Sequence, residues 1–210
     1  MDKPFCIIFD LDGLLVNSQP LQYKAYNQVF SEYGYPISPK EWREWIRNSY
    51  GAPEWIQKNN LPLDAEKIRA QKKIIFDQLI WQEMELMPGA KNAVMRLSKK
   101  YPLCIASASR RETIEACLGK FHLTSKFKKI IPDEEVKRGK PHPDVFLRAA
   151  KVMGFEPSEC LVLEDSPAGL KAAKAAGMKC VICPDPFSKT PLVQFKSADK
   201  IIKSLNEAIF

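Results

Sequence analysis

The sequence predicts an α/β protein, a parallel β-sheet covered by helices with an all-helical insertion, and three observations carry that expectation. Short apolar runs of strand type recur at about 5–10, 102–107, 129–131, 160–165 and 179–183. Segments with helical start and stop signals fill the gaps between the later runs, the alternation that builds a parallel sheet. Between the first run and the second lie about ninety residues, far more than one crossover helix needs, and most of them read as helix.

Taken in order, the first run, "CIIFD", ends in Asp10-Leu11-Asp12 followed at once by Gly13. The insertion opens with "SQPLQYKAYNQVFSEYG", which stops at Gly34, and continues with "SPKEWREWIRN", where Ser38 and Glu41 have capping-box spacing. "APEWIQKNN" and the long "DAEKIRAQKKIIFDQLIWQE" complete it. Trp42, Trp45, Trp55 and Trp81 all fall inside and are expected to form its own core. After the second strand, "SRRETIEACL" offers a second capping box, Ser109 with Glu112. "HPDVFLRAAKVMG" has Pro143 in its first turn and closes on Gly154, and "SPAGLKAAKAAG" has Ser166 as cap, Pro167 at the first helical position and Gly177 at its end. The expected division is a core of 1–16 and 84–210 with a helical domain at 17–83.

At 210 residues, 45% hydrophobic and 27% charged, with no repeat or low-complexity run, the chain has the make-up of a globular protein and not of a disordered one. Its apolar runs are far too short to span a bilayer and no basic segment leads into one, so a cytoplasmic chain without a membrane partner is expected. Four of the six cysteines sit in or beside strand-like runs, as free thiols of a reducing compartment would. Cys180 and Cys183 form a CxxC, but no second pair or nearby His completes a metal set, and a strand would point the two sulfurs to different faces. The net charge of +7 is concentrated in residues 91–140, where thirteen Lys/Arg face five Asp/Glu. Such a field favours anionic ligands without choosing among them. No nucleic-acid-binding motif accompanies it, so no nucleic-acid partner is expected.

In an open parallel sheet, ligands sit outside the carboxyl ends of the strands, beside helix amino termini. The first strand ends there in Asp10 and Asp12, the second in Ser107, the fourth in Glu164 and Asp165, and Lys140 precedes a helix in "RGKPHPD". Singly, each has a plain explanation: a serine can cap a helix, a lysine can sit in water, and a lone DxD signals little. Together they are harder to dismiss, because crowded carboxylates repel and are driven to raised pKa values unless a cation neutralises them. A hard cation such as Mg²⁺, with oxygen ligands, meets that need, and Ser107 and Lys140 suit a phosphate beside it.

"FDLDGLLVNSQP", "IASAS", "RGKPHPDVF" and "CLVLEDSPAGLKAAKAAG", in this order and spacing, resemble the four signature motifs of the haloacid dehalogenase superfamily, in the branch of β-phosphoglucomutase and small sugar and nucleotide phosphatases. The resemblance spans residues 5 to about 185 and implies a Rossmannoid parallel sheet with an inserted helical cap. It implies Asp10 as nucleophile through an aspartyl phosphate, and Asp12 as general acid and then base. Ser107, Ala108 and Lys140 would bind the phosphoryl group. Asp165, Asp10 and the main-chain oxygen of Asp12 would hold Mg²⁺, with Glu164 either on the ion or behind its ligands. The implied activity is hydrolysis of a small phosphorylated metabolite, a sugar phosphate or nucleoside monophosphate, and nothing in the sequence requires more than a monomer.

The alternative within the family is a phosphomutase. Hexose phosphate mutases of this branch are expected to carry a His soon after the first motif and an Arg shortly after the cap's glycine, where this chain has Gln22 and Glu54. After "SAS" it has Arg110-Arg111 in place of Lys-Asn, and Arg110 is a candidate to grip a second anionic group. Gln22, Arg47, Glu54 and Arg110 are the candidates for choosing the leaving group. A phospho-acceptor signalling domain also uses acids, a hydroxyl and a lysine at strand ends, but with its acceptor on the central strand, its lysine last in the chain and no helical cap.

Overall fold

A computed structural model describes residues 6–48 and 50–209. The expected strand start at residue 5 and the outer domain ends at 1 and 210 lie outside the described residues. Two compact units emerge, one from Met1–Asn17 with Glu85–Phe210 and the other from Ser18–Met84.

The first unit is built on a six-stranded parallel sheet: β1 (Cys6–Phe9), β2 (Leu103–Ala106), β3 (Lys129–Ile131), β4 (Cys160–Glu164), β5 (Lys179–Ile182) and β6 (Lys200–Ile201), in the spatial order β3-β2-β1-β4-β5-β6. Every pairing is parallel, with Ile8 opposite both Cys104 and Val162. β1, β2 and β4 are buried along their whole length, which is why they read as unbroken apolar runs and not as alternating ones. β6 has two exposed residues at the sheet edge and carries too short a pattern to be read from sequence.

Around the sheet lie α5 (Ala90–Leu97), α6 (Arg111–Lys120), α7 (Asp144–Met153) and α8 (Pro167–Ala175). α7 ends on Gly154 in the left-handed region, and Ser166 accepts the Gly169 N–H as the cap of α8, both as the sequence indicates. α5 was not singled out by the sequence. The capping box expected at Ser109 is absent: Arg110 is the N-cap residue of α6, without a side-chain cap, and the Ser109 hydroxyl is used elsewhere. One core beneath the sheet gathers Ile8, Ala106, Val162, Cys180 and Ile182 against Phe146, Leu170 and Phe195. All six cysteines are buried and free.

The second unit holds α1 (Gln19–Glu32), α2 (Pro39–Arg47), α3 (Ala52–Lys58) and α4 (Ala65–Glu83). The Ser38–Glu41 capping box forms as its spacing predicts. Trp45 packs on Tyr26, Trp42 and Trp55 with ring centroids 4.8–5.3 Å apart. Trp81 departs from the expected aromatic core, being 60% exposed. Phe76, Leu79 and Ile80 form the buried stripe of α4, and residue 81, about 100° further round the helix, faces outward. Among the described residues no helix is long and apolar enough to cross a membrane.

Candidate active site

The order 3-2-1-4-5-6 reverses direction between β1 and β4, the switch point beside which open α/β sheets bind ligands. Asp10 lies one residue past β1, its N–H donating to the Leu163 carbonyl at 3.0 Å, so its position is fixed by the central ladder. The chain then turns sharply. Gly13 adopts φ +82°, its N–H reaches the Val16 carbonyl at 2.9 Å, and a Cβ there would stand 2.4 Å from Asp165 Oδ2. Glycine is therefore required twice at this point, for the left-handed backbone and for the close carboxylate.

Asp10 and Asp12 engage different groups. Lys140, on the loop before α7, donates to Asp10 Oδ1 at 2.5 Å, Glu164 Oε1 at 2.7 Å and the Ala106 carbonyl at 3.2 Å, with its side chain 8% exposed. Asp12 Oδ2 accepts from Ser109 Oγ at 2.7 Å and from Ser107 Oγ at 3.4 Å. Asp12 Oδ1 is buried without a hydrogen-bond partner among the described residues. Ser107 Oγ is itself held by the Ser109 N–H at 3.0 Å.

Glu164 is the most constrained of the acids. Beyond Lys140, its Oε2 accepts from the N–H groups of Asp165 and Ser166, both at 2.8 Å, and from Ser166 Oγ at 2.9 Å. It lies against Gly169 on the first turn of α8, where any side chain would overlap it. Glu164 is thus bound on both oxygens, as a residue that fixes Lys140 and the start of α8.

Asp10, Glu164 and Asp165 each offer an oxygen, and these three atoms lie within 4.8 Å of one another in buried surroundings. One ammonium serves three carboxyls, so the locus has too little positive charge for all to ionise. Burial, opposed by Lys140 and reinforced by Glu164 and Asp12, pushes the Asp10 carboxyl up to about 8. Burial and then Glu164, Asp10 and Asp185 push Asp165 well above the ordinary range. Against burial, Lys140 and the Ser166 hydrogen bonds hold Glu164 below it, and Lys140, also against burial, is kept firmly protonated by Asp10 and Glu164. An all-oxygen, buried acid set with too little positive charge of its own fits a hard divalent cation.

Of the other residues the sequence points to, Ala108 is exposed, and Arg110 is exposed before α6 with no hydrogen bond to the cluster among the described residues. Its neighbour Arg111 is committed to Glu135 at 2.6 Å and the Ile130 carbonyl at 3.0 Å. Gln22, Arg47 and Glu54 belong to the helical unit, where Glu54 accepts from the Gly51 N–H at 2.8 Å and so serves the start of α3. Two residues at the locus escape sequence reasoning. Ser109 reads as a helix cap. Asp185, 2% exposed, lies three residues past β5, just beyond the strand-end residues that the location rule collects.

A family model for haloacid dehalogenase-like hydrolases matches residues 7–183. The chain is 35% identical over 188 residues to a probable pseudouridine-5'-phosphatase of Drosophila melanogaster, a match covering 85% of this chain and 81% of that one. It is 29% identical over 181 residues to the fructose-1-phosphate phosphatase YqaB of Escherichia coli, covering 83% and 94%. The crystal structure of CbbY from Rhodobacter sphaeroides in complex with phosphate aligns with a TM-score of 0.87 at 27% identity, over 98% of this chain and 96% of that one. On the extent of the family match, and with its four motifs converging on one switch point, this chain belongs to the haloacid dehalogenase-like hydrolases.

Proposed function

We propose that this hydrolase removes phosphate from a small phosphorylated sugar or nucleoside monophosphate, in a Mg²⁺-dependent reaction that passes through an aspartyl phosphate on Asp10. That it is a phosphomonoester hydrolase follows from its family and from relatives that are themselves phosphatases. The metal, the covalent route and the substrate class are the proposal. The observation that carries it is the Lys140 ammonium set between Asp10 and Glu164, beside the acid cluster.

Attack of a carboxylate on a dianionic phosphate is electrostatically opposed, so positive charge must be in place beforehand. Asp10, Asp165 and the main-chain oxygen of Asp12 would hold Mg²⁺, with Glu164 either on the ion or behind its ligands, and the ion supplies charge against the phosphoryl oxygens when bound. Lys140 supplies the rest and, with Ser107 and Ala108, positions the phosphoryl group. Ionised Asp10 forms a bond to phosphorus as the bond to the leaving oxygen breaks, and Asp12 gives that oxygen its proton. Asp12 then takes a proton from water, which attacks the acyl phosphate, releases inorganic phosphate and restores Asp10. Ser109 anchors Asp12 on Oδ2, which fixes the carboxyl for both transfers. Residues 17–83 serve as the cap, which with the loop after β2 chooses the leaving group; Gln22, Arg47, Glu54 and Arg110 are the candidates for that choice, and the working unit is a cytoplasmic monomer.

A panel of sugar phosphates and nucleoside monophosphates, assayed for phosphate release with Mg²⁺ and with chelator, tests this reading. Release is expected only with the metal, and Asp10→Asn is expected to abolish it while leaving the thermal unfolding transition cooperative. No release from any member, or an active Asp10→Asn protein, contradicts it. Conversion of glucose 1-phosphate to glucose 6-phosphate in preference to free glucose would favour the mutase alternative.

A further inference from the structure

Asp185 is a buried acid with half of its hydrogen-bonding explained. Its Oδ1 accepts from the Phe187 N–H at 2.8 Å, and its carbonyl accepts from Ser188 Oγ at 2.9 Å, which together close the turn after β5. Its Oδ2 is buried without a hydrogen-bond partner among the described residues, although the residue is only 2% exposed. An asparagine would close the same turn equally well, with no charge to bury. The turn therefore accounts for Oδ1 and leaves the second oxygen and its charge unaccounted for.

The position of Asp185 supplies the missing reason. Asp185 and Asp165 both lie against Gly13: a Cβ on Gly13 would lie 2.4 Å from Asp165 Oδ2 and 3.3 Å from Asp185 Cβ. No cationic side chain is bonded to Asp185 among the described residues, whereas Asp10 and Glu164 both have Lys140. An unpaired carboxylate added to a cluster already short of positive charge is a liability in the empty protein and an asset when a divalent cation is bound.

We propose that Asp185 is a fourth acid of the cation locus, raising divalent-cation affinity through its unpaired charge close to Asp165. The proposal rests on the Mg²⁺ reading of the Asp10–Glu164–Asp165 cluster and adds a determinant that lies outside the four motifs.

The test is isothermal titration of metal-free wild type and Asp185→Asn with Mg²⁺, with thermal unfolding of each protein without and with the ion. The variant keeps the turn acceptor and loses the charge. Its Mg²⁺ dissociation constant is expected to rise about 10–100-fold, the range typical of residues that support metal ligands. Metal-free, it is expected to melt above metal-free wild type, and its Mg²⁺-induced rise in Tm is expected to shrink. Asp185→Ser, which also leaves an oxygen for the Phe187 N–H, should move both quantities in the same directions. Unchanged Mg²⁺ affinity in either folded variant overturns the proposal. So does failure of both to fold, since losing an unpaired buried charge should not unfold the chain. Absence of Mg²⁺ binding by wild type would instead defeat the metal reading itself, a distinct outcome of the same titration.

Discussion

Glu164 and Gly169 approach so closely that a Cβ on residue 169 would stand 1.8 Å from Glu164 Oε1. The glycine is a structural requirement of the site, because Glu164 in turn fixes Lys140 at 2.7 Å.

Gly169→Ala should therefore destabilise the protein by about 1–3 kcal/mol through overpacking and lower phosphate release by displacing Glu164 from Lys140. Gly119→Ala is the matched control. Gly119 lies inside α6 with nothing within 4 Å of its would-be Cβ, so alanine should stabilise by roughly 0.5–1 kcal/mol through helix propensity. Denaturant unfolding and initial rates of the two variants check the pair, and equal effects of the same sign would contradict the close contact.

The cluster also predicts how stability responds to pH. Asp10 is pushed up to about 8 in the metal-free fold, from an ordinary value of 3.8, and Asp165 is raised as well. A folded value above the unfolded one means that the folded state holds extra protons between the two. Stability from these acids is then fully present below about pH 4 and is lost as pH rises towards 8. Glu164, shifted downward, works the other way but only below its ordinary value of 4.5. Urea unfolding in chelator should accordingly show a stability that declines from pH 5 to pH 8. Saturating Mg²⁺, which binds the ionised acids, should flatten or reverse the slope.

Much of this was legible in the sequence because the site obeys a topological rule. Asp10, Asp12, Ser107, Glu164 and Asp165 stand at or just past the ends of β1, β2 and β4, and parallel strands buried on both faces announce themselves as apolar runs. Ser166 as cap, Gly154 as terminator and the Ser38–Glu41 box were readable because each depends on its own neighbours in the chain. What could not be read depends on distant residues. Ser109 has the spacing of a cap for α6, but a carboxylate 97 residues earlier in the chain takes its hydroxyl instead. Trp81 has the composition of core and the helical phase of surface. Asp185 and Asp165, twenty residues apart in the chain, both pack against Gly13, a relation with no local signature.

Ser109 yields the last prediction. Its hydroxyl donates to Asp12 Oδ2 at 2.7 Å, while its N–H holds Ser107 Oγ at 3.0 Å, so it orients the proposed acid and base without being a member of the acid cluster. Ser109→Ala keeps the N–H and removes only the hydroxyl. With Asp12 free to rotate, kcat should fall about 10-fold or more, since a misplaced proton donor forfeits part of a contribution of roughly 10²–10⁴. KM should change little if Ser109 acts through Asp12 and not on the substrate. The decisive measurement is a double-mutant cycle with Asp12→Asn. If the serine works by positioning Asp12, its removal should cost almost nothing further once Asp12 is gone, and the two losses will fall well short of additive. Full additivity would show that the Ser109 hydroxyl serves the helix or the substrate independently of Asp12.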